Sequence, residues 1–374
     1  MSATGVHPRA AVNVPEPPKT PDKTPGRRLV SLDAYRGLIM LLLVSNGFGL
    51  AVLKSHPHWA WLAAQVDHAE WAGCTLWDLI QPAFTFMVGV AMPLAFARRL
   101  AQGATSAALF RHVLWRSFFL IVLSNFLSNF GAPHAQLQLI NVLCQIAFGY
   151  FICFLIMRLQ FRYQVVCGAA MIAGYWLLFV LFPGPGGAFS QTGNIGAVID
   201  QKVLGYNYQG YYTTINFVGN AVTILFGCWA GMLLQSSRPH SYKLKVLIAA
   251  AIAGFALGLA LAPFNPMVKR LWTASFTFFS AGWVILMLAG CYWLIEVKQI
   301  QRWAFPAVVV GMNSIFIYCC EQILRGWLNR GLRTFTGNFW FLGDLGAIPQ
   351  NIVVLGAMWS LCYWLYRRKI FIRI

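Results

Sequence analysis

Long, continuous apolar runs separated by short polar segments make up most of the chain. Runs such as Leu38–Val44 and Val246–Ala262 contain only apolar residues and glycine. Strands of a membrane barrel would alternate apolar and polar residues, so the unbroken runs predict helices, which bond their own backbone groups in lipid. Because a helix needs roughly 20 such residues to cross a bilayer core of about 30 Å, the pattern predicts an all-α integral membrane protein.

The runs divide into about ten predicted transmembrane helices. Their approximate limits are residues 29–53, 76–97, 113–130, 137–157, 164–182, 214–234, 246–262, 273–295, 304–323 and 346–366. Residues 1–26 are rich in Pro, Thr and Lys and hold no apolar run, so we expect a disordered cytoplasmic tail there. Residues 27–374 are predicted to form one multi-helix transmembrane domain.

The composition supports a membrane protein. Hydrophobic residues make up 59% of the chain and charged residues 10%, with a mean hydropathy of +0.62. Soluble domains carry about 25% charged residues, and this chain could not bury so much apolar surface in water. The nine Cys residues are scattered and form no Cys-x-x-Cys pair, so we expect neither a disulfide framework nor a metal site.

The net charge of +18 is distributed in short basic clusters between the apolar runs. No basic stripe with interleaved aromatic residues is present, so we expect no nucleic-acid partner. With a cytoplasmic N-terminus, 20 Lys and Arg residues fall on the inner side and 7 on the outer side. This excess predicts that both termini are cytoplasmic.

Two of the predicted outer loops are long. Residues 54–75 contain three of the seven His residues, and residues 183–213 become Tyr-rich towards their end, where Tyr208 lies. Long loops often carry function, and aromatic side chains stack on the apolar faces of sugar rings. The same composition also suits anchoring at the membrane interface, so the loops alone leave both interpretations open.

Ionisable residues within spans are costly and are therefore functional candidates. Asp33 and Arg36 share one helix face, where they either orient helix ends as an ion pair or bind an anion near the inner mouth. Asp78 opens the second span, where it is either a helix cap or a carboxylate that orients a histidine.

Other polar candidates lie later in the chain. Glu321 follows Asn313 and Ser314 in the ninth span, and this group either forms interhelical hydrogen bonds or contacts a substrate. Lys269 lies at the edge of the eighth span. No P-loop, dinucleotide-binding glycine motif or Gly-x-Ser-x-Gly elbow is present, so nucleotide-driven pumping and serine hydrolysis have no support.

Three outer-loop histidines are candidates for acid–base or acyl-transfer chemistry. His56, His58 and His68 are equivalent on composition and spacing, and each could act as a general base or accept an acyl group. Asn46, at the end of the first span, either donates to a developing oxyanion or caps a helix before Gly47.

Several motifs, in this order along the chain, resemble those of the heparan-α-glucosaminide N-acetyltransferase family and its bacterial relatives. They are Arg28–Gly37 followed by Asn46, His68–Gly89, Trp115–Ser117, Leu225–Gly231, Leu271–Phe276 and Gly311–Ser314. The resemblance extends over nearly the whole chain after residue 26. The resemblance leads us to expect a bacterial-type member without the extra N-terminal luminal domain of the animal enzyme.

The resemblance implies a multi-helix enzyme that takes an acetyl group from cytosolic acetyl-CoA. The acetyl group would pass to a sugar amine or hydroxyl on the periplasmic side of a bacterial inner membrane, with an active site reachable from both faces. The catalytic histidine of the family corresponds to His68, its nearby asparagine to Asn46 and its aspartate to Asp78. The resemblance thus selects His68 from the three histidines, either as base or as acyl carrier.

We expect acyl-CoA, a sugar acceptor and the lipid bilayer as partners, and the sequence leaves a homodimer open. The residues expected at the coenzyme A site are Arg36, Asp33, Arg116, Ser117, Asn313 and Ser314. The residues expected near the acceptor are Trp71, Glu70, Tyr208, Lys269 and Glu321. The alternative functions are a sugar permease or secondary transporter without chemistry, and a structural membrane partner of another enzyme. The absence of a clear internal repeat disfavours the transporter.

Overall fold

The computed structural model describes residues 29–372, which form α-helices, 3-10 segments and a π-helical turn at Trp293–Val297, without β-strands. The helices are Val30–Ser45 (α1), Ala60–Gln65 (α2), Ile80–Ala101 (α3), Ser106–Ser128 (α4), Val142–Ile156 (α5), Phe161–Leu181 (α6), Ile195–Leu204 (α7), Phe217–Gln235 (α8), His240–Leu261 (α9), Ala274–Tyr292 (α10), Phe305–Gly311 (α11), Ser314–Thr336 (α12) and Ala347–Arg367 (α13). The predicted all-α class is confirmed. The tail predicted at residues 1–26 lies outside the described residues.

Every predicted span coincides with a helix or with a pair of helices. Within residues 29–372, seven helical segments are long and apolar enough to cross a membrane: Trp77–Ala101, Ser106–Ser128, Phe161–Leu181, Thr214–Gln235, His240–Leu261, Ala274–Val297 and Phe339–Arg367. Two bent pairs raise the number to nine. Helix α5 is apolar but has only 15 residues, fewer than the roughly 20 that a spanning helix needs. The chain is an integral membrane protein, and the count of ten and the orientation remain predictions.

Both bent pairs interrupt spans that the hydropathy pattern draws as continuous. Helix α1 ends at Asn46, where Asn46 and Phe48 have positive φ angles of 51° and 54°, and the following 3-10 segment Gly47–Ser55 is inclined by 45°. Helix α11 gives way to α12 at Met312–Asn313 with a bend of 69°. At the first break, Arg325 of α12 donates to the carbonyl oxygen of Val44 at 2.9 Å, so a distant side chain bonds a backbone group near the end of α1.

Small residues allow the central helices to pack closely. A Cβ atom on Gly89 of α3 would lie 2.0 Å from the carbonyl oxygen of Ile224 in α8, and one on Gly227 would lie 2.1 Å from that of Phe86. In lipid, helix association depends on such close packing because there is no hydrophobic drive between the helices. This close packing holds α3 against α8, and the candidate site begins at the start of α3.

Several helix ends and connecting segments meet at one end of the bundle. The end of α1, the start of α3, the end of α4 and the start of α5 meet there with residues 205–213 and 262–273. The helix ends that the charge pattern predicts to be cytoplasmic lie at the opposite end of the bundle. There, Glu296 accepts a hydrogen bond from the backbone N–H of Ser31 at the start of α1.

Candidate active site

His68 and Asp78 form the centre of the candidate site. His68 lies in the segment between α2 and α3, and Asp78 lies in the 3-10 turn Trp77–Leu79 that leads into α3. The Nδ1 atom of His68 is 2.7 Å from Oδ1 of Asp78. The Asp78 side chain is 2% exposed, whereas that of His68 is 36% exposed. A buried carboxylate therefore holds an imidazole ring that still reaches open space.

The second oxygen of Asp78 organises the segment that carries His68. It accepts hydrogen bonds from the backbone N–H groups of Ala69 at 3.1 Å and Thr75 at 3.2 Å. A carboxylate with several donors is stabilised in its ionised form, in which it only accepts hydrogen bonds. The Nδ1 atom of His68 must therefore carry the proton, which leaves Nε2 with a free lone pair. Asp78 thus orients the histidine and also closes the loop. Its backbone donors precede it in the chain, so it does not cap α3, and the interpretation as a helix cap is wrong.

Lys269 joins this pair from a distant part of the sequence. Its Nζ atom lies 3.3 Å from Oδ1 of Asp78 and 3.3 Å from Nδ1 of His68, and its side chain is buried. Burial lowers the pKa of Lys269, and the charge of Asp78 opposes this shift. The 262–273 connection that carries Lys269 is fixed by Thr273, whose hydroxyl accepts from the N–H of Val268 at 3.0 Å.

A cavity of about 370 Å³ opens in front of His68. Its volume lies within the range of roughly 300–1,000 Å³ that is usual for ligand pockets. The wall is made of apolar side chains with amide and hydroxyl groups between them. The lining residues are Met40, Leu43, His68, Trp77, Ile80, Gln81, Phe84, Ser128, Gln138, Ile140, Asn141, Val142, Tyr211, Tyr212, Lys269, Tyr318 and Gln322.

One wall of the cavity is a hydrogen-bonded polar chain. Tyr318 donates to Oδ1 of Asn141 at 3.2 Å, and Nδ2 of Asn141 lies 3.2 Å from the hydroxyl of Ser128. The same Oδ1 caps α5 by accepting from the N–H of Leu143 at 3.1 Å. These contacts link α4, α5 and α12 around the space that a substrate would enter.

The other catalytic candidates lie outside this cavity wall. Asn46 is exposed at the left-handed residue that ends α1, and it is not among the lining residues. His56 and His58 are exposed and also do not line the cavity. The geometry therefore separates His68 from the other two histidines, and a role for Asn46 remains a prediction. Within residues 29–372, no three His, Cys, Asp or Glu side chains gather in a way that could hold a metal ion.

The residues predicted at the coenzyme A site fall into two groups. Asp33 and Arg36 form an ion pair with Nη2 and Oδ1 3.0 Å apart. They lie beside the Gly311–Ser314 motif, because a Cβ atom on Gly311 would be 1.9 Å from the carbonyl oxygen of Asp33. Asn313 is engaged with the C-terminal segment: it donates to the carbonyl of Ile370 and accepts from the N–H of Ile372. Ser314 begins α12 and is half-buried.

The second group lies on α4 and packs against α5. The guanidinium carbon of Arg116 is 4.5 Å from the centre of the Tyr150 ring, and the hydroxyl of Ser117 donates to the carbonyl of Ala147 at 3.1 Å. These contacts are sufficient to explain both residues structurally.

Of the five residues predicted near the acceptor, Lys269 lines the cavity and the other four do not. Trp71 donates from Nε1 to the carbonyl of Phe189 at 2.9 Å, which ties two outer segments together. Glu70 is exposed. Tyr208 accepts from a backbone N–H with its hydroxyl, and Glu321 forms an ion pair with a neighbouring residue of α12.

The cavity contains polar residues that the sequence alone did not single out. Tyr211 and Tyr212 follow Tyr208 in the same Tyr-rich segment, and they, not Tyr208, line the cavity. Gln81 lies one turn after Asp78, and Asn141 lies directly before α5. The motif around Asp78 was a usable signal for Gln81, whereas Asn141 was hidden in a polar connection without a distinguishing pattern.

Comparisons with known proteins give two curated relatives, whereas no family model matches the chain. The heparan-alpha-glucosaminide N-acetyltransferase of Homo sapiens is 26% identical over an alignment that covers 93% of this chain and 60% of that protein. The protein of the same name from Mus musculus is 23% identical, with 94% of this chain and 61% of that protein covered. The chain therefore spans about three-fifths of the length of these relatives.

Proposed function

We propose that this chain, a distant relative of heparan-alpha-glucosaminide N-acetyltransferase, is an integral membrane acetyltransferase that modifies a sugar. The observation that carries the proposal is the His68–Asp78 pair, with the free Nε2 of His68 at a cavity of about 370 Å³. The donor would be acetyl-CoA from the cytoplasm, and the acceptor would be a sugar amine or hydroxyl on the far side. The chain would form one domain from residue 27 to residue 374.

His68 can support transfer by either of two routes. In direct transfer, Nε2 removes the proton from the acceptor O–H or N–H while that atom attacks the thioester carbonyl. The new C–O or C–N bond forms, the C–S bond breaks, and the departing thiolate receives the proton from Nε2. In the covalent route, Nε2 itself attacks the thioester carbonyl, the C–Nε2 bond forms, and the C–S bond breaks as the thiolate leaves. The acceptor then attacks the acetyl carbon, the C–Nε2 bond breaks, and the acceptor proton passes through the released Nε2 to the thiolate.

The spacing along α1 supports a donor that approaches from the opposite end of the bundle. Arg36 precedes Leu43, which lines the cavity, by seven residues, or about 10 Å at a rise of 1.5 Å per residue. The flexible arm of coenzyme A between its phosphates and its sulfur can extend over that distance. Arg36 near the phosphates and His68 near the thioester would together allow transfer without export of acetyl-CoA.

The test is acetyl transfer by the purified protein in nanodiscs, with labelled acetyl-CoA and a panel of acceptors that includes glucosamine and N-acetylglucosamine. The proposal predicts a labelled sugar product and thermal stabilisation by coenzyme A. A permease would instead carry the sugar into proteoliposomes without consuming acetyl-CoA and would not be stabilised by it. No product with any sugar amine or hydroxyl, combined with no stabilisation by coenzyme A, would contradict the proposal.

A further inference from the structure

Lys269 occupies a position that the transfer chemistry described above does not use. Its Nζ atom is equidistant, at 3.3 Å, from Oδ1 of Asp78 and Nδ1 of His68. Lys269 lines the cavity, but its Nζ atom lies against the His68–Asp78 pair and its side chain is buried. The sequence separation of 201 residues between Lys269 and His68 shows that two distant connections meet at one carboxylate oxygen.

One carboxylate cannot fully compensate two adjacent cations. Burial lowers the pKa of Lys269, but the adjacent charge of Asp78 and its hydrogen bond favour the ammonium form of Lys269. The ammonium group then compensates the charge of Asp78 and repels an imidazolium whose Nδ1 is 3.3 Å away. Without Lys269, Asp78 would instead attract a second proton to His68.

The other ionisable groups around His68 do not offset this repulsion. Burial raises the pKa of the Cys74 thiol to about 12, and burial also raises the pKa values of the Tyr211 and Tyr212 phenols, so all three are uncharged near neutral pH. Asp67 accepts a hydrogen bond from the backbone N–H of His68 but is exposed, so water screens its charge. Arg270 adds positive charge to the same connection.

We propose that Lys269 is a positioning residue that keeps His68 uncharged, so that Nε2 is free to begin the reaction. The role in catalysis rests on the proposed function, since both routes require an unprotonated Nε2. The same ammonium would also favour the return step. Once Nε2 has taken the acceptor proton, the imidazolium beside Lys269 readily gives that proton to the departing thiolate.

The test measures the protonation of His68 directly and does not depend on acetyl transfer. Diethyl pyrocarbonate acylates a histidine only through an unprotonated imidazole nitrogen, and peptide mass spectrometry resolves its product at His68 from those at other residues. In nanodiscs, the reaction rate against pH gives a midpoint for His68. We expect Lys269→Met to raise this midpoint by about one pH unit or more, a tenfold change in the ratio of protonated to unprotonated imidazole.

Matched variants separate charge from structure. Lys269→Arg retains the cation and should keep the midpoint near that of the wild type. Arg270→Met removes a neighbouring cation whose guanidinium contacts Tyr211 and Gly210 rather than His68, and it should also leave the midpoint in place. Lys269→Gln is a second neutral variant, for use if the Met variant does not remain folded. The neutral variants Lys269→Met and Lys269→Gln should also move the acid limb of the kcat profile upwards, whereas Lys269→Arg and Arg270→Met should not.

The possible outcomes test the role of Lys269 and the proposed acetyltransferase function separately. An unchanged or lower midpoint in a folded neutral variant overturns the role of Lys269, as does an equal upward shift in Arg270→Met. A shifted midpoint in a protein that transfers no acetyl group supports the electrostatic role and contradicts the proposed function. A shifted midpoint together with a shifted acid limb supports both.

Discussion

Replacing Asp78 by Asn removes one charge at the point where the candidate site and the fold are most tightly connected. The carboxylate is 2% exposed and lies 3.3 Å from Nζ of Lys269, which is itself buried. Asparagine keeps the size of the side chain, so the substitution changes charge and hydrogen-bond polarity with little change in volume. It leaves a buried ammonium without its counter-ion.

The expected loss of stability follows from the geometry. Two unit charges 3.3 Å apart interact by about 5 kcal/mol at an effective dielectric constant of about 20. Removing one partner of a buried ion pair typically costs about 3–5 kcal/mol, because the other charge stays buried. We therefore expect Asp78→Asn to lower the free energy of unfolding by about 3–5 kcal/mol. We also expect transfer to fall by about 10²–10⁴-fold, because the tautomer of His68 is no longer fixed.

A double-mutant cycle tests this reasoning. Unfolding by SDS titration gives free energies, and a thiol-reactive dye reports thermal unfolding because most of the nine cysteines are buried. Lys269→Met in the Asp78→Asn background should recover at least about 2 kcal/mol, since the orphaned charge is then removed. Additive losses in the double variant, or a loss below about 1 kcal/mol for Asp78→Asn alone, would refute the idea of a coupled buried pair.

Three further predictions concern the scaffold. Gly37→Ala should abolish stable expression, because the new Cβ would lie 1.7 Å from the carbonyl oxygen of Ala307. The control variant Gly174→Ala, whose new Cβ would have no atom within 4 Å, should be about 0.5–1 kcal/mol more stable than the wild type. Asn313→Ala should destabilise by about 1–3 kcal/mol and speed amide hydrogen exchange in the C-terminal segment after α13, whose backbone it holds. Burial raises the pKa of Asp200, so its contribution to stability is full below the ordinary value of 3.8 and declines as pH rises through the folded-state value. The melting temperature of Asp200→Asn should therefore gain on that of the wild type as the pH rises above about 4, and an unchanged difference would contradict the shift.

The helices could be predicted from the sequence because apolar length is a local property. Each predicted span coincides with a helix or a bent pair, but the hydropathy pattern did not reveal the bend at Asn313. That break depends on contacts between Asn313 and the C-terminal segment, 57 and 59 residues away. Hydropathy reports how well a segment dissolves in lipid and contains no information about such long-range partners.

The candidate site was only partly accessible to sequence reasoning. The resemblance paired His68 with Asp78, ten residues apart, and their contact in the structure agrees with that pairing. Lys269 was expected near the acceptor. Sequence spacing could not show that the 262–273 connection, which carries Lys269, reaches Asp78. Tyr208 was chosen from a Tyr-rich segment in which Tyr211 and Tyr212 line the cavity, since the direction of a loop side chain is set by tertiary packing.

The most direct measurement of the central claim is transfer across sealed proteoliposomes, with labelled acetyl-CoA on one side and the amino sugar or sugar on the other. We predict that the wild type and His58→Ala, which removes an exposed histidine outside the cavity, produce acetylated sugar at similar rates. We predict that His68→Ala lowers the rate by about 10²-fold or more. Full transfer by His68→Ala would contradict the assignment of His68 as the residue that carries the reaction.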